Sequence, residues 1–238
     1  MLYLFSSALA EETPAAEATP GFFETLFKKL TELPATVWIA LGVLVVLGVI
    51  LFAIGRSRQV LSARVISFGA LSVALSFVLS CIRLYRMPQG GSVTPGSMLP
   101  ILFFSASFGV GPGLIAGLLD GLLQYLEGGW FLNVWQVLLD YFLAYAALGL
   151  GGLYRLFKKA PAFGKDPSKV KDLCAFYLAM FIALLLRGLS ATLAGYVFWD
   201  TAFWPSVVYN CTYLVPEFLV CCLLAVPLFK PVMQVMKH

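Results

Sequence analysis

The sequence predicts an all-α integral membrane protein, and three observations predict it. Of 238 residues, 61% are hydrophobic and only 12% charged, which is far more apolar surface than one soluble core can use. The apolar residues fall in runs, several of them near the length of about 20 residues that a helix needs to cross the hydrocarbon core. A spanning segment that was not helical would leave backbone groups unsatisfied in lipid, so a helical bundle follows. The basic residues, finally, form short clusters between the runs. That pattern reads as membrane topology, and the formal charge of +4 therefore does not point to nucleic acid.

Residues 1–35 begin with MLYLFSSALA, a short apolar run ending in an Ala-Leu-Ala that fits a cleavage site, and continue into the acidic, Ala/Pro-rich EETPAAEATP. A signal-like, disordered segment is expected here, although no basic residues precede the apolar run. A first span is expected at 36–55, ending in Arg56 and Arg58. Six more apolar runs follow at 60–83, 97–110, 112–127, 131–153, 171–198 and 206–229, the third and fourth spans being short and separated only by SFGVGPG. The spans from 60 to 230 form one membrane domain, and 231–238 is a tail.

Lys and Arg near span ends set the orientation. One loop holds Arg56, Arg58 and Arg64; another holds Arg155, Lys158, Lys159, Lys165, Lys169 and Lys171; Lys230 and Lys237 lie at the C-terminus. Placing these three regions in the cytoplasm puts the N-terminus outside. Arg83 and Arg86 then fall on the outer side, next to SVTPGSMLPI, and Lys28 and Lys29 precede the first span. The Ser, Thr, Pro and Gly of SVTPGSMLPI make it either an external loop or a lid over something bound within the membrane.

Ionisable residues inside spans are costly and by default face the bundle interior and carry function. The fourth span has Asp120, Gln124 and Glu127; the fifth Asn133, Gln136 and Asp140; the sixth Arg187 and Ser190; the seventh Asn210, Tyr213 and Glu217. Helical spacing puts each set on one face, so four helices offer polar stripes to a common interior. Either these groups only join the helices, as Arg187 paired to one acid would, or they line a cavity for a cationic or hydrogen-bonding ligand. Aromatic residues accompany them: Trp130, Trp135, Tyr141, Tyr145, Trp199, Trp204, Tyr209 and Tyr213. Such rings serve either as an interfacial belt or as stacking surfaces for a flat heteroaromatic cation whose polar edge a carboxylate holds. Ala70 and Ala74, four apart in FGALSVALS, allow close approach of another helix, internal or from a separate subunit.

Cys81, Cys174, Cys211, Cys221 and Cys222 lie in or beside apolar runs without metal-ligand spacing, and the only histidine is His238. The cysteines read as small buried hydrophobes. No metal site, cofactor or histidine-dependent catalytic triad is expected. The chain also lacks a GxxxxGK[ST] phosphate loop, so an ATP-driven step would need another protein.

GGSVTPGSMLPI, FGVGPGLIAGLLDGLLQ, QVLLDYFLAYAALGLGGLYR, LAGYVFW and YNCTYLVPE, in this order and spacing, resemble the thiamine-specific substrate-binding (S) component of energy-coupling factor (ECF) transporters. The resemblance covers about residues 60–230. It implies a six-helix S-component-like bundle, here with one extra N-terminal transmembrane helix, in the plasma membrane of a prokaryote with the C-terminus cytoplasmic. Thiamine, or a related pyrimidine or thiazole compound, would be captured from outside and passed inward with a transmembrane coupling subunit and two cytoplasmic ATPases. SVTPGSMLPI becomes the lid, through Ser92, Thr94 and Ser97. The resemblance places ligand contacts at Asp140, Tyr141, Trp130, Trp199 and Tyr209, and coupling-subunit docking at Ala70 and Ala74. Arg187, Asn210, Gln124 and Glu217 would order the cavity or add hydrogen bonds.

The chain departs from that family pattern in its own residues. Ala191 stands where a histidine is common, Asp140 where glutamate is usual, and Gln124 where some members have tryptophan; the lid GGSVTPGS lacks a Trp and a Glu that some members carry. Two other functional classes use the same acids. One is a proton-coupled secondary transporter; the other is an intramembrane enzyme with Asp120, Asp140 or Glu217 as acid-base groups.

Overall fold

A computed structural model describes residues 62–88, 90–159 and 169–236. The expected leader at 1–35, the extra span at 36–55 and the last two residues of the tail lie outside the described residues. Among the described residues six helices follow in chain order: α1 (Ala63–Cys81), α2 (Leu99–Phe108), α3 (Val110–Leu126), α4 (Val134–Phe157), α5 (Lys169–Phe198) and α6 (Phe203–Val235). Between α1 and α2 a two-stranded antiparallel hairpin pairs β1 (Tyr85–Arg86) with β2 (Ser92–Val93). The helices α1, α4, α5 and α6 are long and apolar enough to cross a membrane.

The chain is accordingly a multi-pass, all-helical membrane protein. Ser62 caps α1, its Oγ accepting from the Val65 amide at 3.3 Å. Asn133 caps α4 in the same way, which moves its start to Val134, and the helix runs on to Phe157. α2 is only 10 residues long because residues Thr94 to Met98, non-helical, already dip into the bundle. Backbone of this kind survives at membrane depth only where protein buries it, and Thr94, Ser97 and Met98 are all buried. Gly109, at φ +102°, ends α2 and starts α3, a backbone angle that a side chain would strain.

α4 lies at the centre, packed on α2, α3 and α5, while α1 covers α2 and α3 and α6 packs on α5 and α2. Lipid is as apolar as the core, so close packing, more than the hydrophobic effect, holds such a bundle together. Gly113, Gly117 and Gly121 of α3 meet α4 backbone directly: a Cβ on Gly121 would lie 2.5 Å from the Tyr141 carbonyl oxygen, and one on Gly117 would overlap that of Tyr145. Gly149 and Gly152 of α4 make the reciprocal approach to Gly113, Leu114 and Val110. At one end Phe103 stacks on Phe176 at 5.0 Å, with Phe229 and Tyr154 against the pair. Arg155 Nη1 donates to the Phe108 carbonyl (3.0 Å) and Arg64 Nη2 to that of Met236 (3.0 Å), which favours cations at these helix C-termini.

One expectation changes, and one choice between alternatives narrows. Only Cys221 is buried; Cys81, Cys174 and Cys211 are exposed on outer helix faces, where a thiol meets lipid as readily as it meets a core. Ala70 and Ala74 take no part in internal packing, since both are exposed on α1 while Ser72, Val73 and Ser76 face inward.

Candidate functional site

The N-terminal third of α4 carries the expected carboxylate, and an irregular turn presents it. After one α-helical turn, Leu138–Leu143 widen into a π-helix, a local form that recurs at functional sites. Ser190 on α5 donates to the Leu139 carbonyl there at 2.7 Å. Gln136 accepts from the Leu132 amide (3.2 Å) and donates from Nε2 to Asp140 Oδ2 (2.7 Å). Trp199 Nε1 donates to the same oxygen at 3.2 Å. Asp140 Oδ1 has no hydrogen-bond partner among the described residues, so one oxygen is fixed by the protein and the other is available.

Aromatic rings surround that carboxylate. Trp130, before α4, and Trp199, at the end of α5, meet edge to face with centroids 6.0 Å apart. The Trp130 amide donates to the Tyr141 hydroxyl at 2.9 Å, and Tyr141 lies edge-on to Tyr125 at 5.4 Å. On α6, Tyr209 and Tyr213 are 5.9 Å apart. Tyr213 donates to Asn210 Oδ1 (2.6 Å), and Asn210 Nδ2 donates to the Ser206 carbonyl (2.9 Å).

These groups enclose a cavity of about 190 Å³. Asp140, Tyr141, Trp130, Trp199, Tyr209, Asn210, Gln124 and Arg187 all line it, as do Ser92, Thr94 and Ser97 of the lid segment. Ala191 also lines it, one turn from Arg187 on α5. Arg187 is 8% exposed, its guanidinium lies 3.8 Å from the centre of the Tyr145 ring, and its Nη1 has no hydrogen-bond partner. Gln124 Nε2 is tied to Ser80 Oγ at 2.8 Å.

Of the two roles expected of Glu217, ordering the cavity or adding hydrogen bonds to a ligand, its position fits the first. It is fully buried and not among the cavity-lining residues; its carboxylate accepts from the Thr94 amide (2.7 Å) and Thr94 Oγ1 (2.6 Å). Asp120 also stays behind the wall, accepting from Ser76 on α1 at 3.0 Å. Asn133 serves as a helix cap, and Ser190 faces α4. Among the rings, Trp204 points outward as a belt residue would.

Several cavity groups were not assigned from the sequence. Gly91 gives its amide to the Tyr209 hydroxyl at 3.1 Å and lies against the Tyr213 ring, where a Cβ would come within 2.6 Å. At the mouth, Arg83 pairs with Glu127, and both line the cavity with Arg86. The signal for these arginines was their outer position against the charge rule.

Chemically, the cavity offers flat aromatic walls, one open carboxylate oxygen and one buried guanidinium. That combination suits a flat ring with donor and acceptor atoms on its edge. Comparison with known proteins agrees. Residues 66–237 match the family model described as thiamine transporter protein. The thiamine transporter ThiT of Bacillus subtilis (strain 168) is 35% identical over 178 residues, covering 71% of this chain and 91% of the relative. A solved structure of ThiT from Listeria monocytogenes superposes with a TM-score of 0.61 at 24% identity, covering 72% of this chain and 96% of that one; it supports the fold.

Proposed function

We propose that this chain, which belongs to the thiamine transporter protein family, binds thiamine in the cavity around Asp140 as the membrane S component of an ECF-type importer. The observation that carries the reading is the half-saturated Asp140: Gln136 and Trp199 hold Oδ2, leaving Oδ1 for the amino group of an aminopyrimidine. Trp130, Trp199, Tyr141 and Tyr209 supply the aromatic walls, which suit a flat cation. Membership in a transporter family also disfavours the enzyme reading.

The ends of the bundle support an orientation. Arg64, Arg155, Lys158 and Lys171 lie near one end, and Arg83 and Arg86 lie at the cavity mouth. With the basic-rich end in the cytoplasm, the mouth and its lid open outward, and thiamine enters from outside a prokaryotic plasma membrane. The exposed Ala70 and Ala74 on α1 suit close approach of a transmembrane coupling subunit. Two ATPases would supply the energy.

The test is thiamine titration of the purified protein in detergent, followed by quenching of tryptophan fluorescence, with riboflavin and biotin as controls. Saturable quenching by thiamine alone is the expected result. A folded sample that ignores thiamine refutes the ligand assignment. Uptake by the chain alone in ATP-free vesicles would favour the ion-coupled carrier instead.

A further inference from the structure

Helices α5 and α6 run antiparallel and touch along the halves nearer the cavity mouth. Phe218 lies edge-on to Phe181 at 5.9 Å, a Cβ on Gly188 would come within 3.0 Å of Leu214, and Asn210 Nδ2 reaches Thr192 Oγ1 at 3.4 Å. On the outer side of this contact lies a groove of about 210 Å³. Phe181, Leu185 and Leu189 of α5 and Cys211, Val215 and Phe218 of α6 line it, and Gly188, having no side chain, deepens it. Its floor reaches Asn210, which lines the ligand cavity from the other side. Asn210 is thus the wall that the two spaces share.

The lining runs from Phe181 to Thr192 on α5 and from Val207 to Phe218 on α6, about 16 Å at the rise of a helix. The hydrocarbon core is about 30 Å thick, so the groove is as long as one leaflet is deep. Its position agrees. Phe181 and Phe218 stand near the middles of α5 and α6, and their paired rings bound the inner end. Beyond the other end Phe203 meets Tyr196 and Trp204 edge to face at 6.1 and 5.6 Å, as aromatic residues do at headgroup level. A partner helix fits this face poorly, because close approach of two backbones needs small residues along the contact, whereas Phe181, Leu185, Leu189 and Val215 stand out from it. A slender, flexible chain can bend past those side chains and fill the notch at Gly188.

We propose that the groove seats one acyl chain of a membrane lipid from the leaflet on the cavity-mouth side, packed behind Asn210 so that water does not reach the cavity wall from the back. Close packing drives the fit more than the hydrophobic effect, since lipid surrounds the site, and an unfilled notch forfeits dispersion contacts along its lining. Only the naming of that leaflet as the outer one rests on the orientation proposed above.

The experiment reconstitutes the full-length protein, wild type and Cys211→Phe, in phosphatidylglycerol vesicles that contain a small fraction of the same lipid with a diazirine midway along one acyl chain. After irradiation the adducts are mapped by peptide mass spectrometry. In wild type Leu185, Leu189 and Val215 should carry about 5-fold more label than Leu75 and Leu122, which are exposed on the mouth-side halves of α1 and α3; that factor corresponds to a preference of about 1 kcal/mol. Cys211→Phe places a ring in the groove and should bring Leu185 and Leu189 down to the level of Leu75 and Leu122. Equal labelling of all these residues in wild type shows passing lipid contact only and overturns the proposal, as does a folded Cys211→Phe protein labelled like wild type. Should the variant fail to fold, the wild-type ratio decides alone. A dimer linked through Cys211 on mild oxidation of the vesicles would seat a second copy of the chain in the groove, and overturns the proposal too. None of these readouts involves thiamine, so none bears on the ligand of the cavity.

Discussion

Thr94 gives both its backbone amide and its hydroxyl to the Glu217 carboxylate, at 2.7 and 2.6 Å, across 123 residues of sequence. The hydroxyl also accepts from the Ser97 amide at 3.0 Å, so the inner end of the lid is fixed to α6, while of the hairpin beyond it β1 is exposed and β2 half-buried. Glu217 is thus the anchor from which the lid hangs. In Glu217→Gln one oxygen becomes an NH₂ facing a donor, and a buried donor left without an acceptor costs about 1–3 kcal/mol. The expected outcome is faster ligand release with the aromatic walls intact, read by stopped-flow recovery of tryptophan fluorescence. Unchanged release in a folded Glu217→Gln protein would remove the anchor role.

Asp140 makes the opposite prediction. Its substitution by Asn keeps the size but removes the charge and one acceptor, so binding of a cationic aminopyrimidine should weaken by about 10- to 100-fold. Cys221→Ser, buried below Glu217 and outside the cavity lining, should change affinity far less. Equal effects in fluorescence titrations would sink the proposed site. Trp199→Phe should fall between them, since it keeps an aromatic wall but loses the hydrogen bond to Asp140.

The glycine seam can be tested through stability. A Cβ at Gly117 runs into the Tyr145 carbonyl, and one at Gly121 into that of Tyr141. Neither is a flexible side chain, so α3 and α4 must separate. Gly117→Ala should cost about 1–3 kcal/mol or more, as overpacking does, whereas Leu118→Ala on the exposed face should cost little. Thermal unfolding in detergent checks this, and equal shifts would argue against backbone contact as the basis of the packing.

How much of this was legible in the sequence depended on range. The spans were readable because lipid demands uninterrupted apolar runs, and Asp140 was readable because a carboxylate within such a run needs a reason to be there. The π-helical turn that presents it was not, since VLLDYFL carries the pattern of an ordinary α-helix and the wider turn is stabilised by a contact from Ser190, 51 residues away. Glu217 shared a helical stripe with Asn210 and Tyr213, so spacing suggested a shared role; its actual partner lies on the far lid and no local pattern reveals it. The Gly113, Gly117, Gly121 repeat was in plain view, and its four-residue spacing could have identified the α3–α4 seam. The cysteines misled because apolarity does not distinguish a residue facing the core from one facing lipid.

The last prediction separates binding from transport. Ala70 and Ala74 are exposed on α1, near exposed Ile66, Leu71, Leu75 and Val78, so a larger apolar residue there touches no part of the described bundle. Ala74→Leu should leave folding and thiamine affinity within about 0.5 kcal/mol of wild type, as substitutions away from packed features usually do. Close helix approach from a partner, by contrast, depends on small side chains, and the added isobutyl group would hold the two backbones apart. Cells relying on this chain and its proposed coupling module should therefore lose most thiamine uptake while the purified variant still binds. Uptake at the wild-type rate would place the coupling subunit on another face of the bundle. Loss of binding together with uptake would instead mean that α1 transmits the change inward, through the Ser76 hydroxyl that bonds Asp120.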